Sequence, residues 1–184
     1  SPSNTTQYAS GFGSSTSAIF AGGSEGPAQL DLCEQYDGTS WTEVADLNGT
    51  RSYGMGAGTS GSAGLFSGGM VGGPPISATN EQWNGTSWTE VNDMNTARKS
   101  GAASCQGTVT ASLIFGGTTP PGSVLTEKWD GTSWTEVGDL STAVYYQYGA
   151  GVSTAALSAG GDDYPGANRK TTFEWSDPVY TIKT

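Results

Sequence analysis

The chain repeats itself four times with a nearly constant period. Successive Gly-Gly pairs lie 44 to 48 residues apart, at Gly22-Gly23, Gly68-Gly69, Gly116-Gly117 and Gly160-Gly161. An aromatic residue follows each pair, at Tyr36, Trp83, Trp129 and Trp175. Four units of about 46 residues fill the 184 positions, and such a period is typical of proteins in which small repeated elements stack side by side. We therefore predict a single domain over residues 1–184, with units at approximately 1–47, 48–94, 95–140 and 141–184.

Each unit predicts four short antiparallel strands. The aromatic leads into Asp-Gly or Asn-Gly, a strong hairpin signal, and a second Trp five residues after the first aromatic begins an alternating Trp-Thr-Glu-Val strand. This second Trp, at Trp41, Trp88 and Trp134, is expected to pack between units. An aliphatic residue precedes each Gly-Gly pair by three positions, and we expect it to be core in every unit: Ile19, Leu65, Leu113 and Leu157. The pattern predicts an all-β propeller with four four-stranded blades.

The last unit departs from this pattern in its outer strand. Tyr180 replaces the second Trp there, and Pro178 is tolerable only at a sheet edge. No strand exchange between the first and last units is evident. The ring is therefore expected either to close by packing blade one against blade four, or to belong to a larger ring.

An apolar run ending in Gly-Gly, then Tyr or Trp, then a Trp five residues later, resembles the kelch repeat across all four units, the last being the most divergent. The segment WNGTSWTEVNDMNTARKSGAAS also resembles kelch-like propellers of bacteriophage virion proteins, marine phages especially, and of some secreted bacterial proteins. This resemblance implies a β-propeller. Such propellers serve as interaction platforms, scaffolds, sugar-binding modules and, less often, enzymes.

Composition narrows the function. With 17 acidic residues, 7 basic residues and no histidine, the net charge of -10 repels nucleic acids and anionic membranes. Oxidases among the kelch-like propellers bind copper partly through histidine, and a Ser-His-Asp triad also needs histidine. We therefore expect no enzyme, no metal, no cofactor, no nucleic-acid partner and no membrane insertion. Little Lys beside abundant Ser, Thr, Asn and Gly favours an extracellular or virion-surface location.

Two other sets of residues invite chemical interpretations. Cys33 and Cys105 occupy different phases of the repeat, so we expect free, buried thiols rather than a disulfide. Acidic pairs recur at the end of three outer strands: Glu43 and Asp46, Glu90 and Asp93, Glu136 and Asp139. Catalytic carboxylates would be unique, so this repetition indicates a solvated edge.

Strand alternation predicts two different faces of the propeller. One carries the repeated Asp/Asn-Gly-Thr-Ser turns, and the other carries loops 24–30, 70–78, 118–124 and 162–171 together with the links between blades. Variable loops on a rigid scaffold favour recognition, although loops also vary where nothing constrains them. We predict ligand-binding residues on the variable face: Arg51, Arg98, Tyr145, Tyr146, Asp163, Tyr164 and Arg169.

Two functions remain. The first is a non-catalytic structural or interaction module on an exterior assembly, such as a phage appendage or decoration, whose partners are proteins or copies of itself. The second is a carbohydrate-binding or host-receptor-binding propeller that contacts a surface glycan through the variable face. An exposed aromatic cluster would favour the second function.

Overall fold

Four antiparallel sheets stand around a common axis as a four-bladed β-propeller in the computed structural model. The structure describes residues 6–73, 75–119, 122–163, 167–168 and 170–177, and these contain strands, turns and loops but no helix. The all-β class and the four-bladed architecture predicted from the repeat are confirmed. The innermost strands of all four blades line a narrow axial cavity of about 320 Å³.

The strands follow the repeat. Unit one contains β1 (Ser10–Ser14), β2 (Ser17–Ala21), β3 (Ser24–Glu25), β4 (Ala28–Gln29), β5 (Cys33–Tyr36) and β6 (Trp41–Glu43). Unit two contains β7 (Arg51–Ser52), β8 (Met55–Ser60), β9 (Ala63–Ser67), β10 (Met70–Val71), β11 (Asn80–Trp83) and β12 (Trp88–Val91). Unit three contains β13 (Ala102–Ala103), β14 (Ser112–Phe115), β15 (Thr126–Trp129) and β16 (Trp134–Glu136). Unit four contains β17 (Tyr148–Val152), β18 (Ala155–Ala159), β19 (Asp162–Asp163), β20 (Ala167–Asn168) and β21 (Thr172–Ser176).

The blades share one antiparallel order. Blades one to three run β1-β2-β5-β6, β8-β9-β11-β12 and β13-β14-β15-β16 from the axis outwards, and blade four runs β17-β18-β21. The remaining strands form short two-stranded pairs in the loops and links. The prediction for Pro178 and Tyr180, in the outer strand of blade four, lies outside the described residues.

The hairpins between the third and fourth strands of a blade form as predicted. In blade one, the carboxylate of Asp37 accepts hydrogen bonds from the backbone N–H groups of Thr39 and Ser40, each at 2.8 Å. Asp130 makes the same two contacts in blade three, and the amide oxygen of Asn84 makes them in blade two. These backbone hydrogen bonds lower the pKa of Asp37 and Asp130. The repeated turns are therefore structural.

The core lies between blades rather than within them. A hydrophobic cluster fills each of three seams, the interfaces between one blade and the next, where the trailing face of one blade meets the leading face of the blade that follows it in the chain. The first seam packs Ile19 against Phe66, Trp83 and Trp88, and the second packs Leu65 against Trp129 and Trp134. Burial of Trp88 and Trp134 confirms that the second Trp packs between blades. Trp41, in blade one, is half-buried.

The expectation of a fourfold core position is wrong for blade four. Ile19, Leu65 and Leu113 are at most 2% exposed, whereas Leu157 is 42% exposed. The described residues form no hydrophobic cluster between blades four and one. Leu157 is exposed because no hydrophobic cluster of the described residues covers it.

The two cysteines are free, as expected, but only Cys33 is buried. Burial raises the pKa of the Cys33 thiol to about 12, so this thiol stays protonated and unreactive. Cys105 is exposed, which corrects the expectation that both thiols are buried.

Candidate functional site

The links between blades and the loops after the second strands lie on one face, as strand alternation predicts. They are joined by four equivalent antiparallel contacts, which pair Gln7 with Ser24, Ser52 with Met70, Lys99 with Thr118, and Tyr145 with Asp162. Each Gly-Gly turn leads directly into such a contact. The links are therefore held against the loops at the same depth in every blade.

Arg51 and Arg98 belong to this face by sequence, but their side chains lie inside the seams. They are 1% and 0% exposed, respectively. Each guanidinium pairs with a glutamate on the third strand of the blade that its link enters, Arg51 with Glu81 and Arg98 with Glu127. Each also donates to two backbone carbonyls: Gly68 O and Thr79 O for Arg51, and Gly116 O and Leu125 O for Arg98. Burial lowers the pKa of both guanidinium groups, while the paired carboxylates oppose that shift. This burial favours a structural role over ligand binding.

An asparagine also bonds to each of these paired glutamates, and we call the two resulting groups clamps: Asn48, Arg51 and Glu81, and Asn95, Arg98 and Glu127. The backbone N and the side-chain Nδ2 of Asn48 both donate to Oε2 of Glu81, at 2.9 and 2.6 Å. Asn95 donates in the same way to Oε2 of Glu127, at 2.7 and 2.9 Å. The sequence analysis missed these clamps. Their signal is an Asn three residues before each Arg, followed by a Glu two positions before the first Trp of the same unit.

The exposed candidate site is formed by a different position in each link, two residues after the position that Arg51 and Arg98 occupy. Tyr8, Tyr53, Ser100 and Tyr146 take equivalent places immediately before the innermost strands, and their φ angles are 58°, 58°, 56° and 56°. They are the only residues other than glycine recorded with positive φ in the described part of the chain. This conformation costs on the order of 1 kcal/mol or more for a residue with a Cβ atom. Four strained residues at one register indicate a constraint that acts around the axis.

Backbone hydrogen bonds connect these four positions in series. The N–H of Tyr53 donates to Tyr8 O at 2.8 Å, that of Ser100 to Tyr53 O at 2.9 Å, and that of Tyr146 to Ser100 O at 2.7 Å. The positive φ turns each N–H towards the preceding link. Since both groups are described, the absence of a bond from Tyr8 N to Tyr146 O leaves the series open between blades four and one.

The tyrosine rings gather at the axis. Tyr8 stacks on Tyr53 with centroids 4.1 Å apart, and Tyr146 lies 6.2 Å from Tyr53 and 5.1 Å from Tyr145. Tyr8, Tyr53, Tyr146 and Tyr148 border a cavity of about 550 Å³ on the variable face. We call Tyr8, Tyr53, Tyr145, Tyr146 and Tyr148 the axial tyrosine surface. Its rim is open to solvent, since Tyr8, Tyr146 and Tyr148 are 51%, 48% and 83% exposed.

A lysine lies beside the axial tyrosine surface, and burial shifts the pKa of both this lysine and Tyr53. The ammonium of Lys99 lies 5.1 Å from the centroid of the Tyr53 ring, and Lys99 Nζ is 2.9 Å from Met70 Sδ. Burial lowers the pKa of Lys99. Burial also raises the pKa of the Tyr53 phenol, and hydrogen bonds with the neighbouring tyrosines raise it further. The phenol of Tyr53 therefore remains neutral, and the surface offers stacked rings beside one cation.

The structure brings together part of the predicted site. Tyr145 and Tyr146 lie side by side, and Tyr145 Oη donates to Asp163 O at 3.5 Å. Tyr164 and Arg169 lie outside the described residues. The sequence analysis missed Tyr8, Tyr53 and Tyr148 as site residues. The spacing of 45 to 47 residues between successive members of the series Tyr8, Tyr53, Ser100 and Tyr146 is the signal that could have found the first two.

In two of the recurring acidic pairs, the aspartate carboxylate accepts a hydrogen bond from a backbone N–H group. Asp46 Oδ1 accepts from Cys33 N at 3.2 Å, and Asp139 Oδ1 accepts from Thr126 N at 3.3 Å. Within the described ranges, no group of three or more His, Cys, Asp or Glu side chains is placed to hold a metal ion. No helix in that part of the chain is long and apolar enough to span a bilayer.

No protein-family model matches this chain. A search of curated proteins finds no significant match either.

Proposed function

We propose that the chain is a non-catalytic, kelch-like β-propeller that acts as a structural and interaction module on the exterior of an assembly such as a bacteriophage virion. Its partners are other proteins or copies of itself. The axial tyrosine surface is the observation that carries this proposal. Three tyrosines and one serine hold strained backbone angles at a register where glycine would cost less.

Strain at one register indicates a function other than stability. Backbone strain persists where it positions groups for a task, and the surrounding fold must compensate for it. Here the seams supply that support, while the rings of Tyr146 and Tyr148 remain 48% and 83% exposed. Tyrosine combines a large rigid apolar ring with a hydroxyl group, and it is enriched among residues that dominate protein interfaces.

Carbohydrate binding is the second candidate, because the exposed aromatic cluster expected for it is present. Tyr145 and Tyr146 present rings at 66° to each other, and Tyr148 adds an exposed ring beside them. Flat aromatic faces cover the apolar face of a sugar ring, and phenol groups can bond its hydroxyls. A surface glycan therefore fits the same site.

The test compares Tyr146→Gly with Ser100→Gly. Both substitutions relieve positive φ at equivalent positions, but only the first removes a tyrosine from the axial surface. We expect both variants to match or exceed the wild-type free energy of unfolding in urea titrations. A loss of more than about 2 kcal/mol in Tyr146→Gly alone would show that the ring serves the core, and would overturn the proposal.

A glycan-array screen with the same pair separates the two candidates. Glycan binding that Ser100→Gly retains and Tyr146→Gly loses would establish the carbohydrate function. Absence of binding above background, with both variants stably folded, would leave the protein-interaction function.

A further inference from the structure

The trailing face of blade four is exposed along all three of its described strands. Solvent exposure alternates along β17 and β18, so that Tyr148, Ala150 and Val152 face out of the molecule, as do Ala155 and Leu157. Tyr148, Val152 and Leu157 make up three of the five large hydrophobic residues exposed in the described part of the chain. The two inner strands of this face are apolar, and its third described strand presents Thr172, Glu174 and Ser176 beside them.

The leading face of blade one is the counterpart. Phe20, Tyr36 and Trp41 occupy the registers of Phe66, Trp83 and Trp88, which pack against blade one in the first seam. The three in blade one are half-buried, whereas their equivalents are at most 6% exposed. Their rings already form a cluster, with Trp41 6.5 Å from Phe20 and 5.2 Å from Tyr36.

Backbone N–H groups in blade four and just before blade one lack the hydrogen bonds that equivalent groups make between the other blades, within the described residues. In three seams the second glycine of the Gly-Gly pair donates to the following link, from Gly23 to Arg51 O, from Gly69 to Arg98 O and from Gly117 to Val144 O. Within the described residues, neither Gly161 N nor Tyr8 N donates such a bond.

The space beside the last Gly-Gly pair is open. A Cβ at Gly22 or Gly68 would lie within 2.4 Å of the next link's carbonyl oxygen. A Cβ at Gly160 would have nothing within 4 Å. Among the described residues, no link therefore occupies the space beside Gly160 that the equivalent links occupy beside Gly22 and Gly68.

From these observations we propose that the trailing face of blade four binds the leading face of blade one in a second copy of this chain, forming a fourth seam head to tail. The inference rests on the proposed function, because it names a second copy as a partner of the module. Leu157 would contact the Phe20, Tyr36 and Trp41 cluster of the second copy. Gly161 N would donate to Thr6 O of that copy, whose Tyr8 N would donate to Tyr146 O.

Three seams inside the chain provide the template for this contact, and it buries unlike surfaces on the two copies. An association of this kind forms a ring when its rotation closes and a filament when it does not. The net charge of -10 opposes association at long range. Because salt screens this repulsion, association should strengthen between about 20 and 300 mM salt.

Sedimentation velocity over a concentration series tests the proposal. The wild type is expected to shift from 18.8 kDa to a multiple of that mass as concentration and salt rise. Leu157→Asp places a charge in the seam and should weaken association about tenfold or more. Thr89→Asp, on an exposed outer strand of blade two, adds the same charge away from both faces and should associate like the wild type.

A mixing experiment tests the direction of the contact. Leu157→Asp retains the leading face of blade one, and Trp41→Ala retains the trailing face of blade four. Each variant alone should remain monomeric, and the mixture should form a heterodimer through its one intact seam. Near-ultraviolet dichroism checks that each variant is folded, and Val152→Asp replaces Leu157→Asp if the latter is not.

A wild type that stays at 18.8 kDa at all concentrations would overturn the proposal, as would a mixture without heterodimer. Tyr148 belongs to both surfaces, so the axial tyrosine surface is tested with Tyr146→Gly and Ser100→Gly, which replace no residue of either blade face. Failure of the fourth seam is therefore distinguishable from failure of the proposed function.

Discussion

The second and third seams solve the same packing problem with opposite chemistry. Between blades two and three, Arg98 and Glu127 form a buried ion pair with Nη2 and Oε1 2.7 Å apart. Between blades three and four, the equivalent positions hold Val144 and Phe173, and both belong to the hydrophobic cluster. The backbone bond beside them is unchanged, since Gly69 donates to Arg98 O and Gly117 donates to Val144 O, each at 2.9 Å.

This comparison separates the backbone contacts that recur in every seam from the side chains that vary between seams. The Gly-Gly turn and its bond to the next link recur whatever side chain the link carries. A buried ion pair roughly balances its Coulomb attraction against the cost of desolvating two charges, so an apolar pair can take its place. Disturbing the Gly-Gly turn should therefore destabilise any seam. Removing one member of a buried ion pair should also destabilise its seam, because the remaining charge has no partner, whereas removing both members should cost little.

The largest effect is expected from breaking one ion pair. Glu127→Ala leaves the Arg98 guanidinium buried without its carboxylate, and also removes the acceptor of both Asn95 hydrogen bonds. We expect a loss of about 3–5 kcal/mol in the free energy of unfolding, measured by urea denaturation. Phe173→Ala, at the equivalent place in the third seam, should cost less, about 1–3 kcal/mol, because Phe173 is only half-buried. Equal losses would contradict the comparison, and Glu136→Ala on an exposed strand is the control.

A smaller effect is expected from the Gly-Gly turn. Gly116→Ala places a Cβ 2.6 Å from Val144 O at a φ of 53°, whereas Gly160→Ala meets no atom within 4 Å at a φ of 71°. Both variants pay about 1 kcal/mol for the positive φ, and Gly116→Ala should lose a further 1–3 kcal/mol because the following link must move. Thermal unfolding of the two variants measures the difference. Identical melting curves would show that the link does not depend on this close approach.

The smallest effect is expected when the second seam is converted into the third. Arg98→Met combined with Glu127→Leu removes both charges together, so the loss in the free energy of unfolding should be limited to about 1 kcal/mol, which comes from the two Asn95 donors that lose their acceptor. Each single substitution should be markedly destabilising, and the double-mutant cycle gives the coupling energy between the two sites. A double variant as unstable as the singles would mean that the ion pair has a role that packing cannot replace.

Local features of the fold were predictable from particular residues. Asp37-Gly38, Asn84-Gly85 and Asp130-Gly131 predicted hairpins, and the structure has them, because the capping contacts are made within three residues. Trp88 and Trp134 were expected between blades and are buried there. Both predictions depend on contacts that recur with the repeat.

Arg51, Arg98 and Leu157 show where prediction from sequence stopped. The arginines lie on links that resemble surface loops, and only the fold reveals the glutamate and carbonyl oxygens around them, in the blade that each link enters. Leu157 matches three buried residues in register, yet it is 42% exposed. Burial depends on the neighbouring blade, which the local pattern does not contain.

The candidate site was predictable only in part. Tyr145 and Tyr146 were chosen because they are aromatic residues on a variable face, and they do lie together. Tyr8 and Tyr53 join them from two other units, 138 and 93 positions before Tyr146. Rings so far apart in the chain meet because the propeller turns equivalent links towards one axis.

The strands, the hairpin turns, the four-unit division and the residues that pack between blades could be predicted from local sequence. They follow from backbone preferences and from a pattern that recurs in each unit. Which blade faces are covered, where the charged side chains pair and that the tyrosines meet at the axis could be seen only in the folded structure. Coverage depends on contacts between units, and identical local sequence has different surroundings in the middle of the propeller and at its two ends.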